Sequence, residues 1–207
     1  MSDYIQDPYL PIFDLMYFPP IAFWRIWNRE GRILIEDSDN YQKGSYRNRT
    51  HIAGPNGVLV LSIPLQKGKN RQMPYRDVLI DNSVPWQRSH WRAITSTYGK
   101  SPFFEHYQDD LEPLFLTEWT HLFDFNTKSV HMMMSLVNMD YHSFAFSEMY
   151  ATYDEGEDFR NKIRPNQDFN LNFVEYVQVF ANKTGFVPNL SILDLLFCMG
   201  PEARRFM

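Results

Sequence analysis

Only one cysteine, Cys198, occurs in the 207 residues. No intramolecular disulfide can form, which fits a reducing compartment rather than a secreted, disulfide-stapled scaffold. Cys198 lies in the apolar run Leu195-Leu196-Phe197-Cys198-Met199, so a buried structural thiol is expected in place of a nucleophile. Together with it, the six histidines show no zinc-ligand spacing, and no metal site is expected. Phosphate-cradling glycine patterns are missing: there is no Gly-x-Gly-x-x-Gly and no P-loop. The Gly-x-Ser-x-Gly elbow of serine hydrolases is missing too. No motif names a cofactor, which is left unknown. No apolar run approaches the length of a membrane span. The start, Met1-Ser2-Asp3-Tyr4-Ile5-Gln6-Asp7, has acids where a secretory leader would be apolar, so a cytoplasmic protein is expected. The formal net charge of −5 counts against generic nucleic-acid binding, which depends on neutralising phosphates.

What is abundant is aromatic: Phe, Trp and Tyr make up 16% of the chain. Most belong in a core, but a surplus of Tyr and Trp also suits sugar stacking or an interface. The length suffices for one compact domain with a full core, 1–207. A homodimer is the commonest assembly for such a chain.

The fold class expected is α/β, with a mixed sheet, a βαβ-like N-terminal unit and several packed helices; α+β is the alternative. Ile12 to Leu15 reads as a short buried strand, and Pro19-Pro20 stops it and suits a helix start. Ile21, Trp24, Ile26 and Trp27 recur at helical spacing until Gly31, and Arg32 to Glu36 reads as the next strand. Strand, helix, strand favours a parallel pair. Gly54-Pro55-Asn56-Gly57 predicts a hairpin between Arg49–Ala53 and Val58–Ile63. Further strands are expected over Asp77–Asp81, Ser143–Glu148 and Phe173–Phe180. Helices are expected from Pro85 to Tyr98, from a Ser101 cap with Pro102 in its first turn, and from an Asn126 cap. Ser191-Ile192-Leu193-Asp194 matches a capping box before a last apolar helix that Gly200 closes. Gln66 to Arg71 and Asp154 to Asp158 read as a basic and an acidic loop.

The segment with the most chemistry is Tyr41-Gln42-Lys43-Gly44-Ser45-Tyr46-Arg47-Asn48-Arg49, with three cations, two phenols and no acid. Guanidinium forks grip carboxylate or phosphate by two bonds. Lys43 adds a point charge; Gln42, Ser45 and Asn48 add neutral donors; Tyr41 and Tyr46 can stack on a sugar or base. If the segment is extended, Ser45, Arg47 and Arg49 share a face. It follows the strand ending at Glu36, and in α/β sheets ligands sit beyond the carboxyl ends of strands. The bland reading is an ion-paired ribbon, with the arginines held by Glu36, Asp37 and Asp39. His90 is the candidate general acid or base, since histidine titrates near neutrality. The alternative for His90 is a satisfied core histidine. Trp86 stands one helical turn away from it.

The run Tyr-Gln-Lys-x-Ser-Tyr-Arg-Asn-Arg resembles the hallmark of the WbqC-like proteins of bacteria. Other pieces agree in order: Tyr17-Phe18-Pro19-Pro20-Ile21, Ile63-Pro64-Leu65, Trp86-Gln87-Arg88-Ser89-His90-Trp91, Phe103-Phe104 with Tyr107, and Gly185-Phe186-Val187-Pro188-Asn189-Leu190-Ser191 through Phe197, then Gly200-Pro201-Glu202. The likeness spans nearly the whole chain and is nearest to the shorter members seen in Bacteroidetes. It implies a role in surface-polysaccharide (O-antigen) biosynthesis. Many longer members carry His-Gln-Pro before the Tyr-x-Pro, where this chain has Asp14-Leu15-Met16.

Two functions therefore stand open. One is an enzyme of cell-surface polysaccharide or amino-sugar metabolism, a transferase acting on a small anionic sugar or acyl donor. The other is a non-catalytic binding or scaffold protein of the same pathway. An RNA-associated role through the basic loops is opposed by the net charge.

Overall fold

A computed structural model describes residues 4–5, 10–66, 73–140, 143–147, 158–165, 167 and 171–207. Two short strands, β1 (Tyr4–Ile5) and β2 (Ile12–Asp14), precede helix α1 (Ile21–Glu30) and β3 (Ile33–Glu36). β2 and β3 run parallel, with Ile12 beside Leu34 and Asp14 beside Glu36, so the βαβ opening is present. Every residue of both strands is buried, as befits a parallel sheet covered on both faces. Pro20 occupies the cap position of α1 in an extended conformation, and Gly31, at φ 75°, ends the helix. That left-handed geometry is one glycine adopts without a Cβ penalty. Ile21, Phe23, Trp24, Ile26 and Trp27 form the buried face of α1, and Trp24 stacks on Trp27 at 5.4 Å.

The hairpin forms where the Pro55-Asn56 turn predicts it, from β4 (Arg49–Gly54) and β5 (Gly57–Ser62), antiparallel with Arg49 opposite Ser62 and His51 opposite Val60. Three helices follow: α2 (Trp86–Tyr98), α3 (Phe104–Leu116) and α4 (Leu122–Leu136). Of the face expected on α2, Ile94 and Tyr98 are buried and Trp91 is half-buried; Phe104, Tyr107, Leu111 and Leu114 of α3 and Val130, Met133 and Met134 of α4, with Val137 just after it, are buried as expected. β6 (Phe144–Ser147) then returns to the first sheet between β1 and β3, giving the all-parallel order β1-β6-β3-β2. A short α5 (Ala181–Thr184) and α6 (Ile192–Met199) complete the helices, and Gly200–Phe206 closes the chain as a 3₁₀ turn. One hydrophobic cluster joins both sheets to the helices. With a parallel sheet and an antiparallel hairpin, the mixed α/β class holds. Among the described residues no helix is long and apolar enough to cross a membrane.

Four local expectations change. Asp77–Asp81 is not a strand but the end of a 3₁₀ turn, Tyr75–Asp77, followed by single bridges from Leu79 to His121 and from Ile80 to Leu65. Among the described residues Phe173–Phe180 pairs with no strand; the Gln178 amide meets both the N–H and the carbonyl of Val187, standing in for a partner. Ser101 does not cap α3. Its hydroxyl donates back to the Tyr98 carbonyl at 2.6 Å and finishes α2. Asn126 lies inside α4, fully buried, and donates to the Arg47 carbonyl at 2.7 Å and to the Tyr75 hydroxyl at 2.6 Å. Lys67, Lys69 and Arg71 and the acidic stretch before Asp158 lie outside the described residues.

Candidate functional site

The hallmark run is not an extended strand. Residues 41–48 turn at the carboxyl edge of the parallel sheet, and β4 begins only at Arg49. Arg47 and Arg49 therefore do not share a face. Arg47 is 1% exposed, and one of its Nη atoms meets Asp14 Oδ1 at 2.5 Å and Asp39 Oδ2 at 2.6 Å. The other reaches Asn161 Oδ1 at 3.2 Å, and the guanidinium lies over the Tyr75 ring. The second oxygen of Asp14 accepts the Asn161 N–H at 2.6 Å. Burial pushes the Asp14 carboxyl up and Arg47 opposes it. Arg47 is thus a pin joining the end of β2, the turn after β3 and the 161 region. Both of its Nη atoms are engaged, and its Nε is buried with no hydrogen-bond partner among the described residues. A second pin lies alongside: Arg160 bridges Glu36 at 2.9 Å and Asp158 at 2.6 Å, and Ser147 donates to Glu36.

The other predicted residues divide similarly. Tyr41 is buried, its N–H bonded to the Met73 carbonyl. Ser45 closes its own turn, donating to the Gln42 carbonyl at 2.7 Å and accepting the Arg47 N–H. Asn48 ties the base of the hairpin to the Ile63 carbonyl. Gln42 is half-buried and Lys43 exposed. Trp86 is 2% exposed and donates to Asn82.

His90 is 6% exposed, between Tyr17 and Trp86, with its Nδ1 2.9 Å from the Tyr17 hydroxyl. It is not among the residues lining the cleft formed by Tyr46, His51 and Arg164. Burial lowers its pKa from 6.5 to about 4, with a backbone hydrogen bond to Ser62 working the other way. These surroundings suit a packed neutral imidazole. The unfolded chain binds a proton at this site between pH 6.5 and about 4 while the native chain does not. Stability present above that window is lost as pH falls through it, by roughly 3 kcal/mol for this one group. Urea unfolding across that range should show the slope, and His90→Phe should flatten it.

A cleft of about 370 Å³ opens where Tyr46 and His51 face Arg164, Gln167 and the Pro188–Leu190 loop. Arg49 and His51 alternate along β4 and so project from one face. The Tyr46 hydroxyl lies 3.5 Å from His51 Nδ1, their rings edge to face at 5.1 Å. Burial pushes Tyr46 up to about 12, and Arg49 pulls against it. Burial and then Arg49 lower His51. At neutral pH the pair is a phenol donor beside a neutral imidazole. Arg49 Nε is shut off from solvent with no hydrogen-bond partner, and neither Arg49 nor Arg164 has a carboxylate at ion-pair distance among the described residues. Arg164 Nε holds the Asn161 carbonyl at 2.7 Å, leaving its fork end for the cleft.

The loop that walls this cleft is stitched to the hallmark region. Asn189, at φ 55°, accepts the Ala22 N–H at 2.9 Å and so caps α1 from a distance. The Ser191 N–H donates to the His51 carbonyl at 2.7 Å. Ser191 and Thr50 hydroxyls both donate to the Phe18 carbonyl, at 3.1 and 3.0 Å. Phe18 sits at φ 39°, a strained position for a bulky residue that these contacts hold in place. His51, Arg164 and Asn189 were not among the site residues expected from the sequence, although Asn189 lies in the closing run that carries the family resemblance. The signal for His51 was its place two residues after Arg49 on the predicted strand.

Half of the capping box is real. Ser191 accepts the Leu193 N–H at 3.3 Å, but the Asp194 side chain turns inward, fully buried. Its carboxylate accepts from Tyr98 at 2.8 Å, Tyr176 at 2.6 Å and Gln178 at 3.0 Å. Burial pushes Asp194 up while these donors oppose it. Among the described residues no group of three His, Cys, Asp or Glu side chains is placed to hold a metal ion.

Residues 15–163 and 152–206 match the profile of the family described as WbqC-like protein family. The chain is also similar to the uncharacterized protein Rv1507c of Mycobacterium tuberculosis, at 27% identity over 233 residues, covering 98% of this chain and 95% of that relative. No solved structure matches it.

Proposed function

Since the chain belongs to the WbqC-like protein family, we propose that it is a transferase of bacterial cell-surface polysaccharide or amino-sugar biosynthesis. It works in the cytoplasm on a small anionic sugar or acyl donor, and the cleft beside Tyr46 and His51 is its site. The observation that carries this reading is the pair Arg49 and Arg164, without carboxylate partners among the described residues, set about the Tyr46–His51 couple. The Arg164 guanidinium lines the recess, which has no acid among its described lining residues, and a guanidinium so placed selects phosphate or carboxylate. Tyr46 and Phe173 offer aromatic surface to a sugar or base. His51, neutral and half-buried, accepts the proton of an acceptor hydroxyl or amine. As that oxygen or nitrogen bonds to the transferred carbon, the donor's bond to its leaving group breaks and the electron pair departs with the leaving group. We assign the chain, on its length and on Asp14-Leu15-Met16, to the shorter members of the kind seen in Bacteroidetes.

The test is a thermal-shift screen with nucleotide sugars, phosphosugars, nucleotides, acyl thioesters of coenzyme A and amino acids. A ligand at a hundredfold its Kd stabilises by about 2.7 kcal/mol, several degrees in Tm. Arg164→Ala should abolish the shift, and His51→Gln should keep it while product formation falls by about 10²-fold or more. A shift that survives Arg164→Ala would remove the cleft from the proposal. Binding that depends on Arg164, with in-cell function intact in His51→Gln, would favour the non-catalytic binding protein.

A further inference from the structure

A larger cavity, of about 690 Å³, lies between the last turn of α2 and residues 177–180. It shares no lining residue with the Tyr46 cleft. Its floor is Cys198 and Gln178, both buried, with half-buried Val179 and Phe180 beside them. Among the described residues, the rim carries the hydroxyls of Thr95, Ser96 and Ser101 and one charge, the exposed Lys100. No carboxylate is among the described residues that line it. Val177 stands on the same rim, 81% exposed, an apolar side chain that the protein itself leaves bare.

The floor is preorganised. Gln178 is clamped to both backbone groups of Val187 and to Asp194, and Asp194 is clamped to Tyr98. The volume falls in the range of small-molecule sites, roughly 300–1,000 Å³, and such sites pair apolar walls with a few placed polar groups. From the apolar Cys198, Val179 and Phe180, the bare Val177 and the exposed Lys100 we infer that this cavity is a second ligand site, taking a small amphipathic anion. An apolar chain or ring covers Val177, Val179, Phe180 and Cys198, and a carboxylate or phosphate head lies at Lys100.

The single cysteine makes the inference directly readable, because any thiol modification of the chain reports on this floor. Decanoate, decyl phosphate and uncharged decanol serve as probes, below their micellar concentrations, with the rate of Cys198 alkylation as the readout. Decanoate and decyl phosphate should slow alkylation of the wild type in a saturable way. Lys100→Glu should weaken both anions by about tenfold and leave decanol unchanged. Val177→Asp, at an exposed position that folding does not depend on, should weaken all three. No protection by any probe, or protection by the anions that both variants leave unchanged, would overturn the site. Protection by decanol alone would overturn its preference for an anion. None of these results depends on Arg164 or His51, so the two proposals fail separately.

Discussion

Arg47→Ala should destabilise the protein by about 3–5 kcal/mol, the range for breaking a buried ion pair from one side. It leaves Asp14, which is 2% exposed, and Asp39 facing each other without their shared cation. Burial already pushes the Asp14 carboxyl up against the opposing effect of Arg47, so the variant's Asp14 should rise further. A carboxyl raised in the native state holds its proton there more tightly than in the unfolded chain. Stability of the variant therefore falls as pH rises through that raised value, and its deficit against wild type should be larger in mildly alkaline buffer than in mildly acidic buffer. Denaturant unfolding at the two conditions measures this. Arg164→Ala is the control: that side chain is half-buried with no ion pair among the described residues, and its loss should cost no more than about 0.5 kcal/mol. Equal small losses in both variants would mean that Arg47 is not a pin.

Asp194→Ala should cost a similar amount, about 3–5 kcal/mol. It strands the buried hydroxyls of Tyr98 and Tyr176, each worth roughly 1–3 kcal/mol when unpaired, and takes one acceptor from Gln178, whose amide keeps Val187. Asp194→Asn should cost less, because its carbonyl oxygen still accepts while its amide nitrogen faces donors. Ser191→Ala removes one cap, with an expected loss of about 1 kcal/mol. The ratio of the two effects in urea unfolding distinguishes a capping box, where both residues matter alike, from a buried hub centred on Asp194. If Asp194→Ala proved as mild as Ser191→Ala, the hub would carry no special weight.

These two residues also show how far the primary structure reaches. A buried aspartate four residues before Cys198 and a serine at a helix start are a capping box by spacing, and the serine obeys it. The aspartate does not, because Tyr98 and Tyr176 arrive from elsewhere in the chain with stronger donors than the helix's own first turn. Arg47 and Arg49 are the same chemistry two positions apart. One is buried and paired while the other is half-buried beside a cleft, and what separates them is Asp14, thirty-three residues upstream in sequence and 2.5 Å away in space. His90 and His51 invert in the same way. The histidine on a well-marked helix is packed between Tyr17 and Trp86, and the one on a short strand faces the cleft.

What local spacing specified was the alternation of elements. Proline at the start of α1, glycine at its end, the Pro55-Asn56 turn and the apolar stripes of α2, α3 and α4 each act within a few residues, so each could be read in order. What depended on the assembled fold was partnership. β6 enters between β1 and β3 from more than a hundred residues beyond β3, and no short-range pattern encodes a parallel register. Nor does spacing encode which cation meets which carboxylate. Burial makes an unpaired charge or donor costly enough that the packed whole, rather than the neighbouring residues, selects the partner.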